Sequence, residues 1–321
     1  MSAEKTRCLV TGATGYIGGR LVPRLVGRGH AVRALARNPD KLAAVPWRDQ
    51  VEVVRGDLGD ADSLIDAFNG VDVVYYLVHS MGTSKDFVAA EAESARNVVA
   101  AAQQAGVQRM VYLGGLHPSG AKLSPHLRSR VAVGDILLES GIETVVLQAG
   151  IVIGSGSASF EMMRHITNRL PAMTTPKWVH NKIQPIAIDD VLYYLAEAAT
   201  AEIPESRAWD IGGPDVFEYG DAMQVYAQVA GLRPRVIIAL PFLTPTIASL
   251  WIGLVTPMPP GLARPLIESL EVDAVMDEHD IDGVIGPPPG GLTNYRDAVA
   301  YAMEHGPLPS DPHWAHVGRA T

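Results

Sequence analysis

The sequence predicts a doubly wound α/β fold, a parallel sheet covered by helices on both faces, with a smaller C-terminal lobe. Three observations carry this expectation. The first half alternates short apolar runs with helical patterns, the rhythm of successive βαβ units. Those runs are near-continuous in Val, Leu, Ile and Tyr, as strands buried on both faces must be. Glycine follows each of the first four helical patterns, at Gly29, Gly70, Gly106 and Gly141, where a left-handed C-terminal cap belongs.

Taken in order, the predicted strands are Arg7–Thr11, Ala31–Ala36, Val51–Gly56, Val71–Val78, Arg109–Gly114 and Thr144–Ala149. The predicted helices between them are Tyr16–Arg28, Asp60–Asn69, Lys85–Ala105 and Leu127–Ser140. Beyond about residue 150 the rhythm loosens. Ile186–Ala198 reads as a helix with a polar start at Asp189-Asp190, Ala208–Ile211 as a short strand, and Glu218–Ala230 as a helix. The stretch after Gly306 reads as irregular.

Composition narrows the function classes. With 47% hydrophobic and 19% charged residues, the 321-residue chain has the material for a large core and lacks the signature of disorder. Its net charge of −9 opposes nucleic-acid and anionic-membrane binding, since phosphates attract basic faces. A single cysteine, Cys8, cannot form an internal disulfide and fits a reducing compartment. Met1–Arg7 is polar and leads straight into a strand without a secretory pattern, so a cytoplasmic location is expected. The ten histidines show no metal-ligand spacing, and no metal is expected. Val236–Ala263 carries no charge but is broken by Pro241, Pro245, Pro257, Pro259 and Pro260, which suits a membrane helix poorly. It is expected to form a buried or pocket-lining lobe around Phe242, Leu243, Trp251, Leu254 and Met258. A membrane-adhering or dimer surface is the alternative for the same stretch.

The strongest motif is Thr11-Gly12-Ala13-Thr14-Gly15-Tyr16-Ile17-Gly18, directly after a strand and opening a helix. In that context glycines serve a phosphate: Gly12 for the sharp turn, Gly15 for close backbone approach, Gly18 for helix–sheet packing. The helix N-terminus favours the negative charge. A Rossmann-type dinucleotide site follows. An NAD site places an acid at the end of the second strand, but here the chain reads Arg33-Ala34-Leu35-Ala36-Arg37-Asn38, with no acid before Asp40. A guanidinium pairs a 2′-phosphate where a carboxylate repels it, so NADP(H) is the expected cofactor, with Arg37 its partner and Arg33 the runner-up. Asp57-Leu58 stands where a carboxylate meets the adenine or caps the next helix, Asp60 competing for the cap. Val78, His79 and Ser80 end the fourth strand at the carboxyl edge, with Gly114 and Gly150 at the ends of the fifth and sixth. Residues 1–155 are thus expected to form the NADP(H)-binding domain. Residues 156–321 are expected to add late sheet elements and an apolar substrate lobe.

With these residues the sequence resembles the short-chain dehydrogenase/reductase superfamily, and most of all its atypical, NmrA-like NAD(P)H-binding branch, from Arg7 to about Tyr226. The carriers are the glycine motif at 11–18, Arg37, Gly56-Asp57-Leu58, Met110–Gly115 and Ile183–Val191. The resemblance implies a pyridine-nucleotide oxidoreductase whose C-terminal lobe closes over the substrate. It also implies a Ser or Thr after the fifth strand and a Tyr-xxx-Lys pair on the next helix. Here the serine place reads Gly114-Gly115, and Ser124–Arg130 replaces the pair. His126 and Arg130 keep the four-residue spacing of one helical face. Arg130 can bond the nicotinamide ribose but cannot give up a proton, whereas His126 can, and His117 just past the strand is a comparable candidate. Tyr76 and Ser80 are weaker ones. The expected function is an NADPH-dependent reductase of a carbonyl, quinone or similar group on a hydrophobic small molecule. A non-catalytic NADP(H)-binding sensor or scaffold is the alternative, with an epimerase- or dehydratase-like use of the cofactor behind it.

Overall fold

A computed structural model describes residues 5–79, 87–240 and 255–318. Among the described residues seven strands form one parallel sheet: β1 (Arg7–Thr11), β2 (Ala31–Ala36), β3 (Glu52–Arg55), β4 (Val73–Tyr76), β5 (Arg109–Gly115), β6 (Glu143–Ala149) and β11 (Arg207–Ile211). Their order is β11-β6-β5-β4-β1-β2-β3, and every neighbouring pair is parallel. The order reverses at β1, which pairs with both β2 and β4.

Side chains along each strand feed two cores. Cys8 and Val10 of β1, with Val73 and Tyr75 of β4, pack beneath α1 (Tyr16–Gly27) and α6 (Ile188–Glu197). Leu9, Val74 and Tyr76 pack on the opposite face, against α3 (Phe87–Ala105) and α4 (Pro125–Leu138). This period of two, apolar on both phases, is why the strands read as continuous hydrophobic runs. Burial, with Asp72 second, pushes the Cys8 thiol up to about 12, so it behaves as a core residue and not as a nucleophile. Gly29, Gly70, Gly106 and Gly141 all take positive φ.

The third core belongs to the later lobe. It joins α5 (Ala158–Arg169), α7 (Tyr219–Val229) and helices at Pro260–Ser269 and Tyr295–His305 through Phe160, Met163, Tyr226, Ile267 and Tyr295. Small two-stranded sheets frame it: β7 (Val152–Ile153) with β10 (Ile186–Ala187), β9 (Lys182–Ile183) with β12 (Phe217–Glu218), and β8 (Ala172–Thr175) with β13 (Val236–Ala239). Two expectations are corrected here, the start of the helix after residue 185 and the irregular stretch after Gly306. Ile186 and Ala187 belong to a strand, and the helix begins at Ile188, with Asp189 and Asp190 in its first turn. The charge-free stretch opens as β13 and ends within the Pro260–Ser269 helix. The region after Gly306 includes a helical turn at His313–His316.

That last region grips both halves. Asp311 takes two bonds from Arg20 of α1, Nη1 to Oδ1 at 2.9 Å and Nη2 to Oδ2 at 2.6 Å, while Arg164 of α5 donates to Val317 O at 2.8 Å. Met258 is buried in the lobe's core, whereas Phe242, Leu243, Trp251 and Leu254 lie outside the described residues. No helix among the described residues is long and apolar enough to cross a membrane.

Candidate functional site

The Thr11 hydroxyl at the end of β1 donates to Tyr75 O (3.0 Å) and accepts from Leu77 N (3.1 Å), fastening β1 to the end of β4 where the strand order reverses. Ligands of open α/β sheets bind outside the strand ends at such a point. A cavity of about 790 Å³ opens there.

Its first part is the turn at Gly12–Gly15, closed by Gly15 N donating to Gly12 O at 2.8 Å. Gly12 takes φ +69°, and a Cβ there would stand 2.8 Å from Leu77 O. A Cβ on Gly18 would collide with Gly12 O, so α1 seats on the loop only because that side chain is missing. Gly15 caps α1 without a side-chain bond, and the first turn holds no acid. Unpaired N–H groups and the positive end of the helix dipole are therefore left at the cavity. This backbone cradle, which a Cβ would fill, fits the pyrophosphate of NAD(P)H.

Of the residues expected to hold the cofactor, Gly12, Thr14, Gly15, Tyr16, Ile17, Gly18, Arg37, Asp57, Leu58, Val78, His79, Gly114, Arg130 and Gly150 line this cavity. Two described residues do not join them. Ala13 is buried beneath the loop, and the Asn38 side chain accepts from Asp40 N at 3.0 Å, capping its own turn. Ser80 lies outside the described residues. The two arginines separate cleanly. Arg33 is buried, its Nε on Glu52 at 2.7 Å and one Nη on Ala67 O and Asn69 O, so the runner-up is committed elsewhere. Arg37 is exposed at the cavity rim, near Gly56 and Asp57. Asp57 lines the cavity and also accepts from Gly59 N at 3.1 Å, while Asp60 caps the next turn without a side-chain bond.

At the end of β5, Arg130 takes the room left by Gly114-Gly115. It donates to Leu113 O, its guanidinium carbon lies 5.7 Å from the Tyr112 ring centroid, and a Cβ on Gly115 would stand 3.3 Å from its Nε. α4 starts two residues earlier than expected, because Ser124 accepts from Leu127 N at 3.2 Å and Pro125 opens the helix. His126 consequently sits in the first turn and faces inward, only 8% exposed, its ring edge-on to His79 at 4.6 Å. His79 Nδ1 lies 3.1 Å from Glu91 Oε1, and the Ser129 hydroxyl donates to Glu91 Oε2. Burial first, then His79 and Arg130, push His126 down to about 3; burial also lowers His79, against the pull of Glu91. Burial thus works against a charged imidazolium at His126, the candidate expected to give a proton, and favours the neutral ring. His117 falls outside the lining, its Nδ1 2.9 Å from Gly115 O, and Tyr76 is a core residue of the sheet.

Sequence reasoning missed Glu91 and the far wall. Glu91 precedes Ala95 and Val98 by four and seven residues, an acid on the buried stripe of α3, and that spacing was the available signal. The far wall comes from Leu116, Ile151, Val152, Ala158, Met162, Tyr219, Leu266 and Leu270, with Ser157, Ser159 and Ser269 among them. It is apolar apart from those hydroxyls and the phenol of Tyr219. A Cβ on Gly154 would collide with the Tyr16 hydroxyl and Ile188, so both seat there only because that side chain is missing.

Residues 12–152 match a family model described as NAD(P)H-binding. Over 122 residues the chain is 37% identical to a 3 beta-hydroxysteroid dehydrogenase/Delta 5→4-isomerase of Mycobacterium tuberculosis, covering 35% of this chain and 32% of that protein. The chain thus spans about a third of the length of the hydroxysteroid dehydrogenases it matches. In fold it is similar to an NADPH-dependent quinone oxidoreductase of Escherichia coli solved with NADPH (TM-score 0.72, 21% identity, 92% of this chain and 99% of that one). It is similar also to the Citrobacter sp. triphenylmethane reductase complexed with NADP(H) (TM-score 0.70, 21% identity, 92% and 99%). With the glycine cradle and the sheet order, these findings show that the chain carries, over residues 12–152, an NAD(P)H-binding domain of Rossmann type.

Proposed function

We propose that this protein is an NADPH-dependent oxidoreductase that reduces a carbonyl, quinone or similar group of a hydrophobic small molecule, without the usual Tyr-xxx-Lys pair. One observation carries the reading: a single cavity joins the glycine cradle to an apolar wall built by the later lobe. Cofactor and apolar partner would meet at the ends of β4, β5 and β6. The fold-mates solved with NADPH, a quinone and a dye reductase, support the same class. When bound, the nicotinamide supplies the hydride, so the chain has only to orient and shield the reactants. Arg37 would pair the 2′-phosphate, the α1 N-terminus the pyrophosphate, and Arg130 the nicotinamide ribose.

The test is NADPH oxidation by the purified protein across apolar aldehydes, ketones and quinones, with NADH in parallel. Oxidation with at least one of them, slower from NADH, is expected. A second reading, a non-catalytic NADP(H)-binding sensor or scaffold, is favoured by Gly114-Gly115 at the serine place. Stoichiometric cofactor binding with no oxidation across the panel would establish it instead.

A further inference from the structure

We propose that His126 donates the hydrogen bond that meets the substrate's reducible oxygen, and that Glu91, acting through His79, is the residue that positions it. This rests on the reductase reading of the cavity. The ring of His126 reaches the lining although it is more than nine-tenths buried, and neither of its nitrogens bonds a described residue. A buried polar group in that condition on a cavity wall is a group kept for a ligand.

Its support is built into the chain. The Glu91 carboxylate holds two elements at once, the end of β4 through His79 Nδ1 and α4 through the Ser129 hydroxyl, one turn from His126. A carboxylate only accepts, so His79 carries its proton on Nδ1, which fixes both its tautomer and its plane. His126 then rests edge-on against a ring that cannot turn. The titratable groups facing it are His79 from the segment just past β4, Glu91 from α3 and Arg130 from its own helix; burial outweighs them and favours the uncharged ring. A neutral imidazole N–H polarises a carbonyl as an oxyanion-hole donor does and keeps its own proton. Reduced nicotinamide, when bound, would supply the hydride; on a carbonyl the C=O π pair would move onto oxygen, and on a quinone the added electron pair would likewise charge the oxygens. His126 bonds to that growing charge, and water provides the proton that completes the hydroxyl.

The experiment separates binding from turnover. Binding of 1,4-naphthoquinone to the NADP⁺ complex is measured by calorimetry and by the ¹⁵N resonances of the His126 ring. Parent protein is compared with His126→Gln, His126→Leu, Glu91→Gln and Glu91→Leu. The quinone should move the ring resonance in the parent, a readout that needs no variant to fold. His126→Leu should weaken quinone binding and lower kcat with the active substrate by about 10²–10³-fold, the loss typical of one such donor. His126→Gln keeps an N–H and should recover most of both. Glu91→Gln still accepts from His79 and should resemble the parent, whereas Glu91→Leu should resemble His126→Leu with NADPH affinity unchanged. The proposal is overturned if His126→Gln is as impaired as His126→Leu while kcat falls above a pKa near about 6.5, the mark of an imidazolium acid. It is overturned equally if His126→Leu keeps quinone affinity and kcat, in which case the reductase reading still stands. His126-dependent quinone binding with no NADPH oxidation sinks the reductase reading and leaves this one in place.

Discussion

Acidification from pH 7 to pH 5 is expected to remove about 2 kcal/mol of stability through His126 alone. The ring titrates at its ordinary 6.5 in the unfolded chain but is held down to about 3 in the fold, by burial and then by His79 and Arg130. Above pH 6.5 both states hold a neutral ring, and nothing changes. Below it the unfolded chain takes up a proton that the native state refuses, so stability falls with pH until the folded ring also protonates near 3. At pH 5 the gap to 6.5 has opened by about 1.5 units, and each unit is worth about 1.4 kcal/mol. Urea unfolding of the parent and of His126→Gln, at both pH values, isolates the effect, because every carboxylate common to the two cancels. Glutamine does not titrate, so acidification should shift the stability difference by about 2 kcal/mol in favour of the variant. His79, lowered in the same direction, remains in both proteins. A difference identical at pH 7 and pH 5 would show that His126 is solvated, and the positioning argument would fall with it.

Three further outcomes follow from the cofactor cradle. NADPH should bind at least about tenfold tighter than NADH, and Arg37→Asp should narrow or reverse the preference: a charge-assisted bond is worth about 1.5–3 kcal/mol, less what solvent screens at this exposed rim. Equal calorimetric dissociation constants in the parent would contradict it. Gly15→Val should abolish cofactor binding in a protein whose circular dichroism is unchanged. Its backbone, at φ −89° and ψ 173°, accepts valine, and only Gly12 O stands near the new Cβ, at 3.1 Å. Undiminished affinity in the folded variant would refute the placement of the loop. Arg130→Ala should weaken NADPH binding and lower kcat together, since one fixed contact serves both; a loss in kcat alone would remove the ribose from its role.

The first half of the fold was readable because its signals are local. Strands such as β1 and β2 bury both faces, and glycines close the helices between them, so composition and spacing coincide with structure. α5 was missed because its buried surface holds Glu161, Arg164 and His165 alongside Phe160, Met163 and Ile166. The Arg164–Glu161 pair makes burial of those charges tolerable, yet it erases the apolar stripe by which a helix is recognised. The Pro260–Ser269 helix was hidden by Pro265 and by the charge-free stretch leading into it. At the site, the glycine motif announced the cradle, and Arg37 was separable from Arg33 only once β2 had placed Arg33 over Ala67. The inward turn of His126 was concealed by Pro125, which reads as a break but serves as the first helical residue.

The bridge between Arg20 and Asp311 spans 291 residues of sequence, so the clamp it puts on the cofactor helix closes late. A ribosome releases the glycine motif and α1 long before it makes Asp311. Until then the Arg20 guanidinium, which the finished protein encloses, lacks its Asp311 carboxylate and has water to bond in its place. Early strands can pair as they emerge, because β1 meets β2 and β4 within about seventy residues. Vectorial synthesis therefore makes the early strands and the glycine turn available first and the Arg20–Asp311 clamp last.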